Sequence, residues 1–170
     1  MNAAHDQPAP TPDTPLLHRP AIALETLVLD VYDSAPASTQ HHLVARLIGK
    51  VYDVAPPSER CRLLEQLLQP MGVLSLVAVA NGVFAKIGAR GGYPGLQVRT
   101  EDVEFVQSQD VVRLVDFVQQ VSVQAVDNLA QLVAASPVLS ASAVAAVLIT
   151  ILLKRARSRQ LRHGGDSIAD

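Results

Sequence analysis

The chain has 170 residues, of which 49% are hydrophobic, 18% charged and 4% aromatic, with no Trp. That is long enough for one domain with its own core, and the core has to be built from Leu, Val and Ala. The net charge of −2 and the single cysteine, Cys61, exclude an intrachain disulfide and a cysteine-rich zinc centre, and argue against a broad basic face for nucleic acid.

Residues 1–20 hold Pro8, Pro10, Pro12, Pro15 and Pro20 and have no long apolar run. They read as a disordered arm rather than a signal peptide. From there to residue 135 the apolar spacing is helical, and the expected fold class is mainly α: a bundle of about six helices. Leu24, Leu27, Val28 and Val31 form the first stripe, a helix over about 22–33.

An internal repeat follows. VYDSAPASTQHHLVARLI (31–48) and VYDVAPPSERCRLLEQLL (51–68) align at an offset of 20 residues, with Leu43 matching Leu63 and Leu47 matching Leu67. Each copy reads as a helix end, a turn and a new helix start. Pro36 and Pro56 disfavour helical geometry in the residue before them, and Ser38 and Ser58 are expected to cap the next helix. The second helix should bury Val44, Leu47, Ile48 and Val51; the third should bury Leu63, Leu64, Leu67 and Leu68.

Residues 71–87 carry conflicting signals. Asn81-Gly82 between apolar runs suggests a hairpin, whereas Pro70 and the poor alternation of 73–80 favour a helix. GARGGYPG (88–95) reads as a linker. After it, Thr100 and Ser108 are candidate caps, and a long helix is expected over about 109–135. Its polar stripe would be Gln109, Arg113, Asp116, Gln120, Gln124, Asn128 and Gln131, opposite Val111, Leu114, Val118, Val121, Ala125, Leu129 and Leu132. The carboxylates crowded into 101–110 fit two helix starts better than a cation site.

The last element, VLSASAVAAVLITILL (138–153), is apolar all round, so it suits either a membrane or the centre of a bundle. Sixteen helical residues span about 24 Å, short of the ~30 Å hydrocarbon core. Their aliphatic side chains nevertheless favour insertion by about −3 to −5 kcal/mol. Lys154, Arg155, Arg157, Arg159 and Arg162 follow at once; with a total of −2, these five cations leave −7 on the rest of the chain. They are the candidate contacts to a membrane or anionic lipid headgroups.

Catalytic signatures are missing: there is no P-loop, CxxC, HExxH or GxSxG. His41 and His42 point about 100° apart on a helix and cannot share a metal. Tyr32-Asp33 and Tyr52-Asp53 fit helix ends better than acid–base pairs, and Cys61 reads as a small buried hydrophobe. No cofactor and no metal is expected. The sequence therefore points to a non-enzymatic helical interaction protein in the cytoplasm, held at the cytoplasmic membrane or another apolar surface by 138–153 and the basic tail 154–170. Its partners would be that surface, another protein or a second copy; nucleic acid is disfavoured, since the tail has no aromatic residue for stacking. The alternative is a soluble cytoplasmic bundle, regulatory or scaffolding, with 138–153 as its central core helix.

Overall fold

A computed structural model describes residues 19–91 and 96–164, and among these the chain is helical with no strand. The helices are α1 (Arg19–Ser34), α2 (Ala37–Val54), α3 (Pro57–Leu68), α4 (Val73–Ala78), α5 (Val83–Gly91), α6 (Thr100–Val103), α7 (Ser108–Val121), α8 (Val123–Ala135), α9 (Pro137–Ser140) and α10 (Ala143–Gly164). Seven of these ten segments have nine residues or more, close to the six expected. The proline-rich arm up to residue 18 lies outside the described residues; residues 19 and 20 already belong to α1.

The two VYDxAP corners close in the same way. Ala35 N–H donates to Tyr32 O at 3.3 Å and Ala55 N–H to Tyr52 O at 3.2 Å. Both prolines are extended, Pro36 at φ −58°, ψ 153° and Pro56 at φ −66°, ψ 157°. Equivalent side chains then lock each corner: Gln40 Nε2 donates to Ala35 O at 3.1 Å, and Arg60 Nε to Ala55 O at 2.8 Å. The serine caps are a correction. The prolines themselves are the cap residues, and neither helix start has a side-chain cap bond. Because proline fixes φ near the helical value, the helix begins on the very next residue. Ser38 and Ser58 then fall inside the first turn, too late to reach the open amides.

Residues 71–87 are helical on both sides of a left-handed break. Ala80 (φ 50°), Asn81 (φ 57°) and Gly82 (φ 77°) turn the chain between α4 and α5. The Asn-Gly signal therefore ends one helix and starts another, where a hairpin was the competing expectation. The linker over 88–95 is corrected in its first half, because α5 continues to Gly91; residues 92–95 lie outside the described residues. Phe84 and Ile87 anchor α5 in the core, which outweighs the poor helix propensity of its glycines.

The single long helix over 109–135 is two helices. The chain breaks at Ser122 (φ −151°, ψ 95°), whose Oγ accepts from Ala125 N–H at 3.3 Å and so caps α8. A hydroxyl residue between Val121 and Val123 offers a cap where β-branched neighbours weaken the helix. Val121 thereby leaves the buried stripe and is 56% exposed, while Val111, Leu114, Val118, Ala125 and Leu129 stay in the core. Thr100 and Ser108 likewise sit one residue inside their helices. Carboxylates cap these starts instead: Asp102 accepts from Arg99 N–H and Asp110 from Gln107 N–H, both at 3.1 Å.

At the centre α2 packs on α7 and α10, and α10 packs in turn on α8 and α1. Gly49 permits the α2–α7 approach, since a Cβ there would lie 2.6 Å from Val112 Cγ2 and 3.1 Å from Ser108 O. The apolar stretch 138–153 is broken too, with Ser136 Oγ accepting from Leu139 N–H to cap α9. Its main part faces its own bundle: Ala145, Leu148, Ile151 and Leu152 are fully buried. The apolar part of α10, residues 143–153, spans about 16 Å at 1.5 Å per residue. Among the described residues no helix is long and apolar enough to cross a membrane. The basic segment is no tail in its first part; α10 carries it as helix to Gly164.

Candidate functional site

The helical period sorts the five basic residues of α10. Leu148, Leu152, Arg155 and Arg159 follow one another at intervals of three or four, so the stripe that buries leucines also carries two arginines inward. The Arg155 side chain is only 11% exposed. Its Nη1 donates to Gln119 Oε1 at 2.9 Å, its Nη2 lies 3.2 Å from His41 Nε2, and its Nε is 3.9 Å from Asp127 Oδ1. Arg159 pairs with the other oxygen of Asp127, a carboxylate that α8 holds in the interior. Lys154 reaches Asp33, at the end of α1, at 2.5 Å. Arg157 and Arg162 are exposed. Of the five residues expected to face lipid headgroups, three are thus tied to groups of the bundle itself, and α10 does not present the five together.

Gln119 ties the cluster together, since its Nε2 donates to His41 O at 3.0 Å while its Oε1 accepts from Arg155. A ring nitrogen facing a guanidinium has to be the accepting one, so the proton of His41 sits on Nδ1. Burial, and next the charge of Arg155, lower the His41 pKa, so the ring is neutral near neutral pH. Burial also lowers the Arg155 pKa, and an arginine remains charged regardless. His42, on the solvated side of α2, meets Asp116 of α7 at 3.2 Å.

Around this cluster the bundle leaves two clefts. One, of about 400 Å³, is framed by Tyr32, His41, Lys154, Arg155, Arg159 and Arg162. The other, of about 490 Å³, lies between α8 and α10, with Gln124, Asn128, Gln131 and Gln160 in its wall. Arg159 and Asp127 border it as well.

The remaining candidates separate. Tyr32 is buried, whereas its neighbour Asp33 points to Lys154. The Tyr52 hydroxyl donates to Val103 O at 3.4 Å and its ring stacks under Arg60, while Asp53 is exposed. Burial, opposed by Arg60, pushes the Tyr52 pKa up to about 12. Neither pair is arranged for proton transfer. Cys61 is buried, and burial raises its thiol pKa, followed by the charges of Glu65 and Asp102. Among the described residues no group of three or more His, Cys, Asp or Glu side chains converges as a metal site.

Sequence reasoning missed the Gln119–His41–Arg155–Asp127 cluster because it treated the basic segment as a tail. Continuing the α10 stripe past Leu152 would have placed Arg155 and Arg159 inside, and a buried arginine requires a buried acceptor. Comparison of the chain with protein-family models, with curated proteins and with solved structures finds no match.

Proposed function

We propose that the protein is a non-enzymatic helical interaction module, a bundle that uses 138–153 as its own core helix and meets a protein partner or a second copy through its outer surfaces. The observation that carries this reading is the burial of Leu148, Ile151 and Leu152 with Arg155 directly behind them. Side chains already covered by α2 and α8 have no apolar surface left to give to a bilayer. The charges support the same choice. Five available cations would draw the protein to an anionic leaflet by about 5 kcal/mol at about 1 kcal/mol each, but two, Arg157 and Arg162, would supply only about 2 kcal/mol. Ties between the polar groups of the cluster support a structural and binding role over catalysis.

A surface-bound form is the second reading, favoured by one observation. Leu153 (42% exposed) and Leu161 (80% exposed) share the outer face of α10 with Arg157, an apolar and basic combination suited to the headgroup region. Cell fractionation tests the choice. The self-contained module is expected in the soluble supernatant at low salt, before any wash. Retention in the membrane pellet through salt and carbonate washes would overturn it, and release by salt alone would favour the surface-bound form.

A further inference from the structure

We propose that the cleft between α1, α2 and α10 binds a phosphate-class dianion, free or as the headgroup of a phosphorylated molecule. The cleft is framed by Lys154, Arg155, Arg159 and Arg162 together with Asp33, which pairs with Lys154, while Asp127 pairs with Arg155 and Arg159 from α8. Among the described residues the lining holds more cations than carboxylates, so this recess is positive on a chain whose net charge is −2. A phosphate group, with more oxygens and more negative charge than a monocarboxylate, engages more of these donors at once.

The donors are held for this before any ligand arrives. Arg155 forms the rear wall, fixed by Gln119 and His41, so its charge acts from a low-dielectric position where it is worth more than at the surface. Arg162 is the exposed cation of the cleft, and Lys154, eight residues earlier on α10, lines it while paired with Asp33. Helix-borne guanidinium and ammonium groups fit phosphate oxygens with short charge-assisted bonds. Tyr32, Gln40, His41, Val123 and Ser158 also line it, and Asp33 is the carboxylate in its wall. The volume, about 400 Å³, admits the anion together with part of an organic group. Arg157, on the same helix, does not line this cleft and serves as an internal control.

The experiment is calorimetric titration of the full chain with inorganic phosphate and with phenyl phosphate, at constant ionic strength set by chloride. Constant ionic strength matters because about 0.15 M salt screens the acidic body beyond ~8 Å. Saturable binding with one site is expected. Arg162→Gln should weaken it about tenfold, the loss of one charge-assisted contact, and Arg157→Gln, which removes the same charge elsewhere, less than about twofold. Vesicles containing phosphatidic acid form the second arm. Vesicle binding that inorganic phosphate displaces and Arg162→Gln abolishes identifies a lipid headgroup as the source; phosphate binding without vesicle binding identifies a free or small-molecule phosphate. Lack of saturable binding by the unmodified protein overturns the proposal. So does an equal loss in Arg157→Gln and Arg162→Gln, which would mean diffuse attraction to a basic helix. Both substitutions are at exposed positions, and circular dichroism checks that the variants keep the fold.

Discussion

Asp127→Asn is the most informative single substitution, because it removes one buried charge and little else. The Asp127 side chain is 6% exposed and lies between Arg155, 11% exposed, and Arg159, 35% exposed. Removing one partner of a buried ion pair typically costs about 3–5 kcal/mol, since the other charge stays inside without compensation. Two features pull the value to the low end here. Arg155 keeps its bonds to Gln119 and His41, and Arg159 is exposed enough for solvent to screen its share. About 3 kcal/mol is expected, and for a chain of this size that lowers Tm by about 6–12 °C, read by circular dichroism at constant pH and salt. The double variant Asp127→Leu with Arg155→Met removes both charges and should lose less than Asp127→Asn alone, because no stranded guanidinium remains. A Tm within about 2 °C of the unmodified protein for Asp127→Asn would refute the reasoning, since the carboxylate could then not be holding the arginines inside.

Three other outcomes follow from the packing. Gly49→Ala should destabilise by about 1–3 kcal/mol, although alanine would normally stabilise a helix by about 1 kcal/mol; the new methyl meets Val112 and the backbone of Ser108, and denaturant unfolding at unchanged slope checks the sign. Ser122→Ala should cost about 1 kcal/mol by losing the α8 cap, whereas Ser38→Ala and Ser58→Ala should stay within about 0.5 kcal/mol; equal losses in urea titrations would contradict the cap assignments. His41 has a folded pKa below its ordinary 6.5, so the unfolded chain takes up a proton first as pH falls. Stability should therefore be full above about pH 6.5 and decline below it, and His41→Gln should flatten that part of a Tm-against-pH curve.

What was legible in the sequence was local. Val44, Ile48 and Val51 in α2 and Leu63, Leu64, Leu67 and Leu68 in α3 are buried as their spacing requires, whereas Leu27 (60% exposed) and Val31 (50% exposed) of the first expected stripe are not; the period identifies an apolar face, and its cover depends on the neighbouring helices. Helix starts were legible less well. Serine was credited at Ser38, Ser58 and Ser108, while proline geometry at Pro36 and Pro56 and the carboxylates of Asp102 and Asp110 define the starts. The break at Ser122 was hidden because a polar stripe at steps of three and four continues on both sides of it, and periodicity alone does not register a change of axis. The cluster around Arg155 joins residues that are 28 to 114 positions apart: Asp127, Gln119 and His41. Such pairings depend on which helices touch. The one-dimensional clue, two arginines on the buried stripe of α10, acquires meaning only once that helix is known to continue past Leu153.

The central claim is that the apolar last helix belongs to the bundle's own core, and the double substitution Val144→Glu with Leu148→Glu tests it most directly. Leu148 is fully buried and Val144 partly so, and two carboxylates there would face aliphatic side chains without partners. Circular dichroism at 222 nm during thermal unfolding is the measurement. The result expected is loss of the cooperative transition together with aggregation or proteolytic sensitivity. A double variant that unfolds cooperatively near the original Tm, and differs only in having left a membrane fraction, would contradict the account and show the helix to be an anchor.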